Sequence, residues 1–459
     1  MSSSQGLVRE RFCIIGAGPS GLAAAKNLKQ AGIPFDCFEA TGDVGGLWNP
    51  GNPGCAYSTV HLNISKKLMR FTDHPIPSGY PDFLNLEQAF AYLKSYAEKF
   101  RLYDNIVFNK KVSKAEKNDA GWDVWVGEEA EPRPYRGMIV ANGHHWDPAM
   151  PEITGQFDGE VMHSYNYTGP EQLIGKRVLI MGGGNSGLDI ACDAAFHGKA
   201  SYHSLRRGYY VIPKVIFGRP TDMVFEKLKR LRLPRWISRS LAAGVMRLIV
   251  GPYEKYGLPK PKGKMFAHHP TASSRYLDLL RHGQINICPD IEKLAGNTVC
   301  FKDGTRKEID LLVYGTGYKL SMPFFNSKLA EGIKNPRKLF LNLFHKTDNS
   351  LFFVGLFQPA DGGFWQLADY QSKLMTRYIL ATDNKEDAAE KFDDIKATTH
   401  FDVGHGEVYT DSPRHHFEVD HYRYRGIVDK LLSQFPALET PPANTSYKRQ
   451  ELVSEAQPL

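Results

Sequence analysis

The 459-residue chain has no cysteines at metal or redox spacing: Cys13, Cys37, Cys55, Cys192, Cys288 and Cys300 stand apart, with no CxxC among them. That usage fits reduced thiols, argues against a zinc site or a disulfide framework, and removes the dithiol relay of a disulfide reductase. Nor is there a run of 18 or more apolar residues, so no transmembrane helix is expected. Met1 to Gln5 is polar and runs straight into a strand, with no basic-then-apolar leader, which makes a cytoplasmic protein the expectation. The net charge of +7 is modest for this length and forms no arginine-rich tail, so nucleic acid is not an expected partner. What remains is a globular chain, 42% hydrophobic and 23% charged, long enough for two or three domains.

The chain carries two glycine turns, and each sits between an apolar strand and a helix. Arg11 to Ile15 reads as a buried parallel strand, followed at once by Gly16-Ala17-Gly18-Pro19-Ser20-Gly21 and an alanine-rich helix. Gly16 permits the tight turn, Gly18 lets a pyrophosphate approach the backbone, and Gly21 allows close packing of helix on sheet. The helix N-terminus at Pro19 and Ser20 attracts the phosphate charge. A second strand, Pro34 to Phe38, ends in Glu39, a carboxylate placed to accept from both ribose hydroxyls and to repel a 2′-phosphate. On these residues alone the ligand is FAD or NAD.

Lys176 to Met181 repeats the pattern, with Gly182, Gly184 and Gly187 at the same spacing and Asn185 and Ser186 opening the next helix. Here the second strand ends differently, in Ser204-Leu205-Arg206-Arg207. A hydroxyl and guanidinium groups suit a 2′-phosphate, so this site is expected to take NADPH. Between residues 224 and 250 basic side chains (Lys227, Lys229, Arg230, Arg232, Arg235, Arg239, Arg247) alternate with apolar ones, and Pro234 splits the stretch into two helical segments. Such an insert either packs on the second domain and narrows a substrate path or lies on a membrane surface.

The run TGDVGGLW (Thr41 to Trp48, with Gly46, Leu47 and Trp48) resembles the segment that two-dinucleotide flavoproteins place after the acid, which implies FAD in the first site. The run Ser58 to Lys67, with Asn63 and Ser65, and the run Phe71 to Pro81 resemble the Asn-x-Ser-Lys and F-x-D-x-P-x-P elements of the flavin-containing monooxygenases. Phe157, Gly159, His163 and Tyr167 fit the FxGxxxHxxxY motif that identifies that family. The run Asp310 to Tyr318, with Thr316, is similar to the family's ATG motif, except that Tyr314 replaces alanine; Phe352 to Pro359 is similar to its late flavin-contacting strand, with Gln358 near the pyrimidine edge.

The resemblance spans roughly residues 10 to 380. It implies an α/β protein of two Rossmann-like dinucleotide-binding domains, the NADPH domain inserted in the FAD domain. The expected parts are 1–165, 166–325 with a helical insert at about 210–270, and a return over 326–459. It also implies an enzyme in which NADPH reduces FAD, dioxygen adds at flavin C4a, and a soft nitrogen or sulfur nucleophile takes the distal oxygen. Asn63 would then lie over the flavin and contact the oxygen adduct or the substrate. His163 reads as a linker residue, and no general base is assigned. A homodimer is compatible with the sequence. Two other readings share the motifs. A Baeyer–Villiger monooxygenase is disfavoured because Tyr167 replaces its motif tryptophan and Pro53-Gly54-Cys55-Ala56-Tyr57-Ser58 lacks its acid. A flavin electron-transfer reductase is the reading from another class.

Overall fold

The computed structural model describes residues 10–436 apart from 53, 55, 231–233, 262, 264, 266–269, 361 and 405–415. The expectations that fell on Met1 to Gln5, Pro53, Cys55, Arg232 and the chain beyond 436 therefore lie outside the described residues.

Four strands of the first large sheet come from the first part of the chain: β1 (Phe12–Ile15), β2 (Phe35–Phe38), β3 (Ile106–Val107) and β4 (Gly137–Val140). Five more follow: β5 (Glu160–His163), β6 (Arg177–Met181), β7 (Ala200–Ser204), β8 (Ile285–Cys288) and β9 (Leu311–Tyr314). A tenth, β10 (Leu351–Phe353), returns to the first sheet. The two five-stranded sheets run β10–β4–β1–β2–β3 and β5–β9–β6–β7–β8, parallel throughout. Every residue of β1, β4 and β9 is buried, because both faces of a parallel sheet are covered; hence their unbroken apolar sequences. The expected fold class is met, with one domain inserted in the other.

The insertion starts earlier than residue 166. Thr154–Phe157 pairs in parallel with Ile291–Gly296, and β5 pairs with β9, so the motif strand belongs to the second sheet. Its sequence hid this because β5 is an edge strand with Glu160 and Val161 exposed, which lacks the apolar signature of an interior strand.

The helices that matter below are α1 (Pro19–Gln30), α2 (Leu86–Lys99), α3 (Asn185–His197), α4 (Thr221–Arg230), α5 (Arg235–Val250), α6 (Phe364–Asp383) and α7 (His421–Leu432). α2 begins in a capping box, Asn85 Oδ1 accepting from the Gln88 amide at 2.9 Å; of the apolar residues at helical spacing it buries Leu93, Tyr96 and Ala97, leaves Phe90 half-buried, and buries Tyr92 besides. Pro234 stands at the start of α5, which buries Ala242, Met246 and Val250.

α1 and α6 are joined by a buried charge cluster. Lys26 Nζ lies 2.9 Å from Asp369 and 2.7 Å from Asp73, and Thr72, Asn27 and Lys373 also bond to Asp369. Burial pushes the Asp369 carboxyl up, but the two ammonium groups and the donors around it more than offset that and hold it at about 2. Because the folded value lies below an unfolded value of about 3.9, this contribution is complete above that pH and is lost as pH falls toward the folded value. Asp369→Asn is expected to cost about 2–3 kcal/mol near neutrality and much less at pH ~2–3, which thermal melts at the two pH values would check.

Candidate active site

The two glycine turns are built alike. Gly16 has φ +99° and Gly182 φ +122°, conformations that side chains rarely adopt. A Cβ on Gly21 would lie 1.8 Å from the Gly16 carbonyl, and one on Gly187 2.1 Å from the Gly182 carbonyl. These four glycines let turn and helix touch; Gly182 and Gly187 are not in the wall of the cavity described below. Gly18 and Gly184, in contrast, precede their helices with extended backbone, and a Cβ on Gly184 would meet nothing within 4 Å. Free space in front of a helix N-terminus is where a pyrophosphate fits.

At the end of β2 the Glu39 carboxylate is buried, taking the amides of Ala17 at 2.7 Å and Thr41 at 2.9 Å. It thereby ties the strand end to the first glycine turn and keeps lone pairs for a ribose. The 41–48 loop folds back on that turn: a Cβ on Gly46 would come within 3.1 Å of the Gly18 Cα.

One cavity of about 1530 Å³ runs from this turn to the start of α3. Its wall includes Gly16, Gly18, Pro19, Ser20, Glu39, Gly46, Leu47, Trp48, Asn63, Asn185, Ser186 and Gln358, so most of the expected first-site residues and the head of the second helix are brought together. Asn63 Oδ1 and Asn185 Oδ1 are buried with no hydrogen-bond partner among the described residues. Orphaned acceptors of this kind, with the open glycine cradles, are what two dinucleotides would satisfy, and the residues present fit FAD and NADPH.

Other expected residues sit elsewhere. Ser204 is buried with its hydroxyl donated to the Pro289 carbonyl at 2.6 Å, and Thr316 donates to Ala149 O at 2.6 Å. Both serve to fasten chain to chain, and neither lines the cavity. Ser65 is buried behind the wall, its amide bonded to Asp222 Oδ2 at 2.6 Å. Arg206 is exposed just past β7. Arg207 lies 5.4 Å from the Tyr209 ring, and that ring covers Gly183, so this arginine is tied to the second glycine turn.

Two of the FxGxxxHxxxY residues, His163 and Tyr167, are buried and hydrogen-bonded around the second sheet. His163 donates from Nε2 to Gly317 O at 3.0 Å and accepts the Tyr165 amide at Nδ1 at 3.0 Å. Burial holds its imidazole below the usual range. Tyr167 is fully buried and donates to Asp193 Oδ2 at 2.9 Å.

Residues 9–436 match the model of the flavin-binding monooxygenase-like family. The chain belongs to that family. Flavin-containing monooxygenase 5 of Homo sapiens is 30% identical over 439 residues, covering 90% of this chain and 81% of the relative. Dimethylaniline monooxygenase [N-oxide-forming] 2 of Rattus norvegicus is 31% identical over 392 residues, 80% of this chain and 73% of the relative. The cyclohexanone-bound cyclohexanone monooxygenase structure in the rotated conformation shares the fold, with a TM-score of 0.69 at 18% identity over 92% of this chain and 97% of that one. As a member of the family, the protein is a flavoprotein monooxygenase that uses FAD and NADPH.

The cavity wall of this flavin monooxygenase also includes positions that motif reading did not pick out. Asp189, Lys214, Asp222 and Trp365 line the cavity, as do Asp420, Tyr422, Arg423 and Ile427 on and before α7. Asp189 and Asp193 had a signal: two acids one turn apart in an otherwise apolar helix. The α7 residues had none, since nothing local in the last 80 residues says where they pack.

Proposed function

We propose that the protein transfers one oxygen atom of O2 to a soft nitrogen or sulfur nucleophile of a small molecule, with NADPH supplying the electrons. The observation that carries this reading is the cavity that runs from the first glycine turn to the head of α3 with Asn63 in its wall, where two cofactor rings and a small substrate can meet. Bound FAD supplies the redox and oxygen chemistry. The chain's own part is binding and exclusion of water. Gly16, Gly18, Pro19 and Ser20 cradle the FAD pyrophosphate, Glu39 takes its ribose, Gly46, Leu47 and Trp48 close over it, and Gln358 meets the far edge of the ring. Gly184, Asn185 and Ser186 receive the NADPH pyrophosphate, and Arg206 with Arg207 its 2′-phosphate. Asn63 orients the ring edge or the substrate, and Trp48, Ile212, Phe225 and Trp365 keep water out of the chamber. No group in this set has to act as a general base.

Substrate-dependent NADPH oxidation across amines, sulfides and ketones, with product analysis, tests the assignment. N-oxides or sulfoxides are expected; ester from a ketone at comparable turnover would reverse the order of the two monooxygenase readings. Asn63→Ala is expected to lower product per NADPH and raise hydrogen peroxide, and unchanged values for both would misplace the site.

We further infer that the insert touches an anionic lipid surface. No helix among the described residues is long and apolar enough to cross a membrane, yet Leu248 is 87% and Phe217 75% exposed, and Leu241 and Ile249 add to the same insert. Its other side, Phe225, Leu228 and Ala242, walls the cavity, so a two-sided insert both narrows the path and offers apolar residues beside Lys227 and Arg247. Co-sedimentation with phosphatidylserine vesicles is expected, falling with salt and falling about tenfold for Phe217→Asp/Leu248→Asp; equal pelleting of the variant would refute it.

A further inference from the structure

The strap from Ala56 to Ser65 belongs to the first domain by sequence and to the second by packing. At its near end the Ala56 amide donates to Leu47 O at 2.8 Å, inside the loop that closes over the first glycine turn. Beyond that point the partners change sides. Tyr57 and Val60 pack in the core of the second domain with Val178, Ile180, Leu188 and Ala191. The Ser58 amide donates to Thr168 O at 2.9 Å. Tyr57 Oη donates to Asp189 Oδ2 at 2.7 Å, and Thr59 Oγ1 to Asp193 Oδ2 at 2.5 Å. Tyr167, the last residue of the family motif, donates to that same Asp193 oxygen at 2.9 Å, with its ring 5.3 Å from that of Tyr57. Arg275 stands 3.5 Å from the other Asp193 oxygen. On either side of Asn63, Lys214 Nζ donates to Leu62 O at 3.3 Å and Asp222 Oδ2 accepts the Ser65 amide at 2.6 Å.

Asp189 and Asp193 lie one turn apart on α3, and the first residues of α3, Asn185 and Ser186, line the cavity at the second glycine turn. The same helix therefore meets the nicotinamide nucleotide with its N-terminus and grips the Asn63 strap with its second and third turns. Asp193 is 1% exposed and its oxygens are shared among donors from three chain segments, so the grip cannot slide without leaving a buried carboxylate short of partners. Motion of one body must carry the other.

We propose that this clasp is a positioning device: Asp189 and Asp193 make the placement of Asn63 depend on the nucleotide bound at the head of α3. Asn63 and its strap are held in working position when that groove is filled and are freer when it is empty. The inference rests on the function proposed above, in which Asn63 meets ring or substrate. It assigns to Tyr57, Thr59 and Tyr167 a role that acts through Asn63 and not on the reacting atoms.

Hydrogen exchange of the full-length, FAD-loaded protein with and without NADP⁺ tests it. NADP⁺ is expected to slow exchange of the 58–65 amides about tenfold, as well as those of 184–190, since local opening sets such rates. In Thr59→Val/Tyr167→Phe the slowing at 58–65 is expected to vanish while that at 184–190 persists, and Thr59→Ser is expected to behave as the parent. Slowing at 58–65 that survives in the double variant, or that is missing in the parent, overturns the proposal. Should the double variant fail to fold, Tyr57→Phe, which frees Asp189 alone, carries the same comparison. Product analysis reports separately: nucleotide-dependent protection with no oxygenated product sinks the functional assignment and leaves the coupling, whereas product without protection sinks the coupling alone.

Discussion

Gly184→Ala is expected to yield a folded, yellow protein that NADPH scarcely reduces, while Gly18→Ala is expected to come through purification colourless. The two positions differ from the other turn glycines in what a methyl group would meet. On Gly184 it meets nothing within 4 Å, and on Gly18 only the Gly46 backbone, its Cα at 3.6 Å and its N at 3.9 Å, both ordinary contacts. Both have negative φ, −82° and −69°, that any residue adopts. The apo fold therefore accepts either alanine, and only a pyrophosphate lying against the backbone objects. An overpacking cost of about 3 kcal/mol, the upper part of the usual range, weakens binding more than a hundredfold. Melting temperatures, flavin absorbance and the NADPH dependence of flavin reduction measure the three parts of this expectation. Gly184→Ala with an unchanged dependence on NADPH would mean that the second turn is not the nicotinamide groove. Gly21→Ala makes the control: its methyl would sit 1.8 Å from a backbone carbonyl, so stability falls along with flavin content.

The second large effect concerns choice of nucleotide. Arg206→Ala/Arg207→Ala is expected to raise KM for NADPH by roughly 100-fold or more while leaving NADH nearly unaffected, since each charged hydrogen bond to the 2′-phosphate is worth about 1.5–3 kcal/mol. Ser204→Ala is expected to do little to this preference, because its hydroxyl is spent on the Pro289 carbonyl. The single variants carry a finer comparison. Arg207 stacks on the Tyr209 ring that covers Gly183, so its loss loosens the turn itself, whereas loss of the exposed Arg206 removes only charge. Arg207→Ala is then expected to weaken both nucleotides somewhat, and Arg206→Ala the phosphorylated one alone. Ratios of kcat/KM for NADPH and NADH settle it; a double variant that keeps its preference would remove both arginines from the site.

Much of the site was legible because its determinants are local. Strand, glycine turn and helix are adjacent in sequence, and the acid at Glu39 or the arginines at 206 and 207 follow at the fixed distance one βαβ unit imposes. Apolar strings such as Phe12 to Ile15 announce interior parallel strands for the same reason. The expectations that did not survive at their stated places failed for a nonlocal reason. Ser204 and Thr316 look like ligand hydroxyls until the Pro289 and Ala149 carbonyls arrive from distant segments to claim them. The domain boundary moved because an edge strand with exposed Glu160 and Val161 carries no apolar signature.

By itself the sequence determined two strand–glycine turn–helix units, the order in which they occur, and the family motif between them, since each is a short run whose backbone geometry its own residues impose. Only the tertiary structure decided that the grooves open into one chamber, that α7 and the insert wall it, and that Tyr57, Thr59 and Tyr167 converge on two aspartates of α3. The contacts of Tyr57 with Asp189 and of Thr59 with Asp193 join residues more than a hundred positions apart, and such partners are chosen by packing and by the need to satisfy buried polar atoms, which no local pattern encodes.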